Sequence, residues 1–387
     1  MELSNRVKNI KPSATLTITS KAKAMKKSGI DVISFGAGEP DFDTPEYIKH
    51  AAKAAIDSGK TRYTPSIGTV ELRDVICKKV KSAYGLEYDA DNVAVSNGAK
   101  HSLFNIFQAI CNEGDEVIIP APYWVSYTEM VKVSGAKPVI VNTKPEDKFK
   151  LKPHDLDKVI TQKTKVVIIN SPSNPTGCIY TKKELLAILD VLSDKDIMVI
   201  SDEIYDRLVY DGIEYTSFAS LSQRAKEITI IVNGVSKSYS MTGWRIGYTI
   251  SNDKELIAAI KRLQDHSSSN PSSISQEAAL AAIDNEDNSV STMKKEFKLR
   301  RDYMVSRINA IEEFSCIAPE GAFYCFVDVS KVNSNSLEFA QKLLDEAKVA
   351  VIPGEGFGAA GFIRLSFATS TENIKEGLDR IEQWLKQ

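Results

Sequence analysis

Short apolar runs recur through the middle of the chain with little polar alternation. NVAVS from Asn92, EVII from Glu116, PVIV from Pro138, KVVII from Lys165, IMVIS from Ile197, ITIIV from Ile228 and GYTI from Gly247 each read as a strand covered on both faces. Helical periodicity fills several of the gaps, as over residues 100–111 and 182–192; the second stretch opens with a Thr181 and Glu184 capping box. Strands alternating with helices predict an α/β fold whose large domain holds a seven-stranded, mostly parallel sheet.

After Ile283 the pattern changes. Met293, Phe297, Met304, Ile308 and Ile311 fall three, four or seven positions apart, which predicts a long amphipathic helix connecting two domains. Strand-like FYCFV, a helix over 337–347, strand-like VAVIP and FIRLSF, and a last helix with Ile374, Leu378, Ile381 and Leu385 on one face follow. These form a smaller α+β unit. The N-terminal arm offers one strand-like stretch, DVISF, too short for a domain and expected to pack on the C-terminal unit. The expected division is a large domain of 46–284 and a small one of 1–45 with 285–387, as a chain of 387 residues outgrows a single core.

Composition narrows the class. With 43% hydrophobic and 26% charged residues the chain reads as globular, and 49 basic against 51 acidic residues provide no broad field for nucleic acid or an anionic membrane. Five scattered cysteines without C-x-x-C spacing argue against a disulfide framework or a zinc site. The opening MELSNRVKNIKPSAT lacks a secretory apolar stretch, and no run reaches bilayer-spanning length. A soluble cytoplasmic protein is the expectation.

Ligands of open α/β sheets bind outside the carboxyl ends of the strands. Three such ends are unusually polar: KVVII runs into NSPSNPTG with Asn174, IMVIS ends in Asp202 and Glu203 with Tyr205 beyond, and ITIIV precedes NGVSKSYSMTGWR. That last string holds Ser236, Lys237 and Arg245. Read alone, Lys237 fits a snorkelling surface lysine; with Arg245 eight residues on, a neighbouring cation would depress its amine pKa and favour Schiff-base chemistry. Asp202 fits a helix cap or an acid that keeps a cofactor's pyridine nitrogen protonated.

The strings SPSNPTG, SDEIY and SKSYSMTGWRIGY, in this order, resemble the class I aminotransferases of pyridoxal-phosphate fold type I. KPSAT at Lys11, GAGEPDFDTP at Gly36, GKTRYTPSIG at Gly59, NGAKHSLFN at Asn97 and APYWVSY at Ala121 extend the resemblance over essentially the whole chain. The nearest likeness is to the bacterial and archaeal aspartate aminotransferase branch.

The resemblance implies pyridoxal 5'-phosphate held on Lys237, which then shuttles a proton between the substrate Cα and the cofactor's exocyclic carbon. Asp202 would pair with the ring nitrogen, Tyr205 and Asn174 with the ring hydroxyl oxygen, and Trp124 with the ring face. Gly98, Ala99 and Lys100, where a strand turns into a helix N-terminus, would hold the phosphate with Ser236 and Arg245. Tyr63 would reach that phosphate from the other subunit of a homodimer with shared active sites. Arg364, helped by Asn174 and the Gly38 N–H, would grip the substrate α-carboxylate. Without the resemblance, Trp124 is a core or interface residue, Tyr63 a turn tyrosine and Arg364 half of a structural ion pair.

For the substrate side chain, the loop after His266 reads Ser267-Ser268-Ser269 and offers no arginine. The branch resembled implies Lys100, with Ser13 and Thr15, as partners of a distal carboxylate; otherwise Lys100 is an exposed first-turn lysine and the hydroxyls cap. The expected reaction carries the amino group of L-aspartate to 2-oxoglutarate, giving oxaloacetate and L-glutamate in a ping-pong cycle. Aromatic or prephenate transamination and a β-elimination lyase on the same scaffold are the alternatives. A regulator that keeps the fold as a sensor would need a DNA-binding module, for which the arm before Gly36 has no room. The GxGxxG at Gly356–Gly361 leads into a strand instead of a helix and reads as a turn. The basic cluster 294–307, interrupted by Glu296 and Asp302, reads as a solvated helix face, and His50, His101, His154 and His266 lack metal-ligand spacing.

Overall fold

The computed structural model describes residues 2–8, 10, 14–285 and 287–387, apart from the side chains of residues 5, 6 and 14–17. A first strand, β1 (Ile33–Ser34), precedes the main sheet. That sheet comprises β2 (Val93–Ser96), β3 (Glu116–Ala121), β4 (Lys137–Asn142), β5 (Thr164–Asn170), β6 (Met198–Asp202), β7 (Thr229–Gly234) and β8 (Gly247–Ser251). All seven expected runs form it, in the order β2-β8-β7-β6-β5-β3-β4. Only β8 runs antiparallel to its neighbours. Helices on both faces cover the central strands, so their apolar runs need no polar alternation. PVIV differs: β4 is the sheet edge, and Ile140 is 37% exposed.

The helix Lys182–Leu192 shows how sequence builds a layer. Thr181 Oγ1 accepts from the Glu184 N–H while Glu184 Oε2 accepts from the Thr181 N–H, which satisfies two donors of the first turn. Leu185, Ile188, Leu189 and Leu192 then fall on one stripe and bury against β5 and β6, each contributing roughly 1.5–3 kcal/mol. The chain leaves β3 for the edge strand β4 and then crosses back to β5, beside β3. Connections diverging from adjacent strands open a crevice at their carboxyl ends.

Five further strands complete the fold: β9 (Ser315–Cys316), β10 (Tyr324–Asp328), β11 (Val349–Ala350), β12 (Ile352–Pro353) and β13 (Phe362–Ser366). Four of them pair antiparallel in the order β12-β13-β10-β9. VAVIP, expected as one strand, divides: β11 pairs in parallel with β1 of the arm, and β12 pairs with β13. DVISF thus packs on the C-terminal unit. The helix Ser289–Asn309 buries Met293, Phe297, Met304 and Ile308, and Ile311 is buried just past its end. Helix Thr371–Leu385 buries Ile374, Leu378 and Ile381.

The basic cluster departs from its reading as a solvated face. Arg300 and Arg301 are buried: Arg300 Nη1 donates to both Asp41 oxygens at 2.9 and 2.8 Å and Nε to Glu296, while Arg301 Nη1 donates to Asp211 at 2.6 Å. A planar guanidinium with matched carboxylates is the cation that tolerates burial. Arg300 thereby ties the arm segment after Gly38 to this helix. All five cysteines are free and buried, and among the described residues no helix is long and apolar enough to cross a membrane.

Candidate active site

A cavity of about 740 Å³ opens at the carboxyl ends of β5 and β6, roofed by the arm segment at Gly36–Glu39 and closed by β10 and β13. Eleven of the expected residues line it: Gly38, Ala99, Lys100, Trp124, Asn174, Asp202, Tyr205, Ser236, Lys237, Arg245 and Arg364. Gly98 lies immediately before them, Tyr63 does not line the cavity of its own chain, and the Ser13 and Thr15 contacts fall outside the described residues. No cluster of potential metal ligands occurs among the described residues.

Lys237 follows β7 and points into this space, its Nζ donating to the Gly38 carbonyl at 2.5 Å. Burial lowers its amine to about 8; Glu39 opposes that shift, while Arg364, Arg245 and Lys100 reinforce it. An amine near 8 is unprotonated often enough at neutral pH to attack a carbonyl.

Asp202, at the end of β6, is buried. Its Oδ2 accepts from the Tyr127 hydroxyl at 2.5 Å and its Oδ1 from the Ile204 N–H at 3.3 Å. Burial raises its pKa to about 6, an effect that Tyr127, Ile204 and Lys237 partly offset. It remains a carboxylate at neutral pH, one without an adjacent ion-pair partner and therefore suited to a cationic ring N–H.

Arg364, in β13, is 3% exposed. Nη1 donates to Asn174 Oδ1 at 2.9 Å and Nη2 to the Gly36 carbonyl at 3.3 Å, whereas Nε is buried without a partner. Among the described residues no carboxylate neutralises it, and burial pushes its pKa down. The ordinary structural ion pair is thus absent among them. A buried guanidinium without a counter-ion, on a residue that lines the same cavity as a reactive amine, has the chemistry to bind a carboxylate.

Gly98 caps helix Ala99–Ile110 with φ 86° and no side-chain capping bond. The first-turn N–H groups and the positive end of the helix dipole therefore face the cavity. A methyl group at Gly98 would lie 2.5 Å from Arg245 Nη2, so the bare backbone lets the guanidinium sit beside the helix start. Arg245 itself adopts φ 58° and is held by the Thr242 carbonyl at 2.8 Å. Lys100 Nζ lies 4.9 Å from the Trp124 ring centre, its pKa lowered by burial and by Arg245. Tyr63 is 90% exposed.

Residues 30–381 match the family model of class I and II aminotransferases. The chain is 47% identical to aspartate aminotransferase of Bacillus subtilis, each chain covered over 100% of its length. It is 45% identical to a probable aspartate/prephenate aminotransferase of Aquifex aeolicus, covering 100% of this chain and 99% of the relative. The Thermus thermophilus aspartate aminotransferase solved with maleate superposes with a TM-score of 0.95 at 41% identity, 99% of each chain being covered. The chain belongs to the class I aminotransferase family.

Aminotransferases of this class use pyridoxal 5'-phosphate, and the cavity of this aminotransferase fits that group on three counts. A buried carboxylate has no ion-pair partner among the described residues, a helix N-terminus lacks a capping side chain, and an amine of lowered pKa lines the same cavity. Two residues escaped the sequence reading. Tyr127 sits three residues after Trp124 in the APYWVSY string, but its hold on Asp202 depends on where the helix Ser126–Val133 starts. Tyr324 lies inside an apolar strand string, FYCFV, and nothing local distinguishes it from a core tyrosine.

Proposed function

We propose that this aminotransferase carries the α-amino group of L-aspartate to 2-oxoglutarate, giving oxaloacetate and L-glutamate by a ping-pong cycle. The observation that carries this reading is the buried Arg364, which has no carboxylate partner among the described residues and lines the same cavity as Lys237. Both substrates are dicarboxylates, and the cavity lining adds Lys23, Lys26, Lys100 and Arg245 to these two cations against Glu39 and Asp202. The relatives named for aspartate and the Thermus structure solved with maleate, a dicarboxylate, point the same way. The relatives named for prephenate favour that second dianion as an additional substrate.

When bound, pyridoxal phosphate would supply an aldehyde for the amine and an electron sink for the bonds of the substrate Cα. Lys237 Nζ would hold the aldehyde and is the group placed to move the proton at the substrate Cα. Asp202 would keep the ring nitrogen protonated, Tyr205 and Asn174 would bind the ring oxygen, and Trp124 would cover the ring. Gly98, Ala99, Lys100, Ser236 and Arg245 would bind the phosphate, joined by Tyr63 from a partner subunit. Arg364, Asn174 and the Gly38 N–H fix the α-carboxylate so that the Cα–H bond faces Lys237. Lys100, Ser13 and Thr15 take the distal carboxylate.

The assembly proposed is a cytoplasmic homodimer whose chains divide into 46–284 and 1–45 with 285–387. Free cysteines suit a reducing compartment. Support for the dimer is the presentation of Tyr63: Gln276 Nε2 donates to Thr64 Oγ1 at 2.9 Å and Gln264 Nε2 to the Ser66 carbonyl at 2.5 Å, pinning a segment whose tyrosine points outward. The test is the half-reaction spectrum with aspartate alone. Conversion to the pyridoxamine form supports transamination, while release of ammonia and pyruvate would establish β-elimination. Lys237→Ala should abolish turnover while leaving folding intact; borohydride labelling elsewhere than Lys237 overturns the assignment.

A further inference from the structure

Tyr324 is fully buried in β10 and lines the cavity, yet the chemistry above makes no use of it. The strand register explains its position. Tyr324 pairs with Ser366 and Phe326 with Arg364, so Tyr324 and Arg364 are diagonal neighbours on one face of the β10–β13 pair. The Arg364 guanidinium consequently lies 4.2 Å from the Tyr324 ring centre. The other end of the same side chain meets the Tyr205 hydroxyl, oxygen to oxygen, at 2.9 Å. One side chain therefore touches both the cation proposed for the substrate carboxylate and the tyrosine proposed for the cofactor ring oxygen.

We propose that Tyr324 is a positioning residue that couples the Arg364 carboxylate clamp to the cofactor ring oxygen through Tyr205. The inference rests on the reading that the cofactor sits on Lys237 with Tyr205 at its ring oxygen. A phenol has one proton to donate. If Tyr205 gives its proton to the ring oxygen, Tyr324 must be the donor in the pair, which leaves a directed chain from Tyr324 to Tyr205 to the ring. Each bond in such a chain polarises the next. The Arg364 charge against the Tyr324 ring makes its hydroxyl a better donor; a bound carboxylate reduces that effect. The charged groups facing the tyrosine pair are Arg364 from β13, Asp202 at the end of β6 and Glu39 from the arm. Arg364 is the one in direct contact with the Tyr324 ring. Asn174, already bonded to Arg364, acts in parallel and does not depend on Tyr324.

The consequence is a spectroscopic one. With the chain intact, less negative charge rests on the ring oxygen, and the neighbouring proton of the Lys237 linkage is held less tightly. Tyr324→Phe keeps the ring under Arg364 and removes only the hydroxyl. The absorbance of the loaded enzyme without substrate should then titrate with its midpoint raised by roughly half a pH unit, the scale of one lost neutral hydrogen bond. Tyr205→Phe should raise it further. In the Tyr205→Phe background, adding Tyr324→Phe should move the midpoint no more, because the route has been cut. The dissociation constant of maleate, read from the same absorbance, should change less in Tyr324→Phe than in Tyr324→Leu, which also removes the ring.

An unchanged midpoint in Tyr324→Phe with the cofactor still on Lys237 overturns the coupling. Fully additive shifts in the double variant also overturn it, since Tyr324 would then act independently of Tyr205. Thermal unfolding of each variant guards against a folding defect. Absence of any Lys237 chromophore in the unaltered enzyme refutes the underlying cofactor assignment instead, so the two failures are distinguishable.

Discussion

Burial places the Lys237 amine near 8, and that shift sets a rate as well as a role. Only the unprotonated amine attacks an aldehyde, so reconstitution of the cofactor-free enzyme should quicken as pH rises and level off above about 8; a rate still climbing steeply at pH 10 would contradict it. Glu203, next to Asp202, supplies a second pH effect. It is fully buried, with Oε1 accepting from Ser201 and Ser217 at 2.8 and 2.6 Å and the Tyr215 side chain also bonding to the carboxyl group. Burial, reinforced by the Asp206 charge, raises its pKa from 4.5 to about 7 against the opposing bonds from Ser217, Ser201 and Tyr215. In that window the unfolded chain holds fewer protons than the folded one, so stability present below 4.5 is lost as pH rises through 7. Glu203→Gln stays neutral and should be more stable than the unaltered protein above pH 7 by roughly 1–3 kcal/mol, with the difference vanishing near pH 4, as urea unfolding would reveal. At this scale the sequence was readable where chemistry and position coincide, as at Lys237 and Asp202. Tyr127 and Tyr324 were opaque because their roles come from neighbours distant along the chain.

The elements were legible where one property decides them. Seven apolar runs became seven strands because burial on both faces leaves nothing else for such a run to do. VAVIP was misjudged as one strand because its two halves pair with different partners, and the choice of partner is a tertiary event. Arg300 and Arg301 looked solvated because their carboxylates, Asp41 and Asp211, are remote in sequence. Gly247 makes a sharper case for tertiary control. It opens β8, and a methyl group there would collide with the backbone of Gly98 and Ala99, the start of the helix proposed for the phosphate. Gly247→Ala should therefore push that helix away, costing roughly 1–3 kcal/mol of stability. Cofactor affinity should fall as well, which equilibrium dialysis would measure; a variant with normal affinity would separate the helix start from the phosphate.

At the scale of the whole molecule, Tyr63 forces a question that no single chain answers. Its ring is 90% exposed although the segment carrying it is pinned by two buried glutamines, Gln264 and Gln276. Ordering an outward aromatic has a use if a second copy receives it. Under the shared-site proposal, each active site combines Lys237 of one chain with Tyr63 of the other, and this arrangement makes a prediction about mixtures. Homodimers of Lys237→Ala should be inactive, and homodimers of Tyr63→Ala should bind the cofactor phosphate weakly. In a hybrid of the two, one site inherits both defects, but the second takes Lys237 from one chain and Tyr63 from the other and is intact. Refolding the two variants together should therefore yield activity above that of either parent at low cofactor concentration. If Tyr63 served its own chain, the only Lys237 in the hybrid would sit beside the altered residue 63, and mixing would recover nothing.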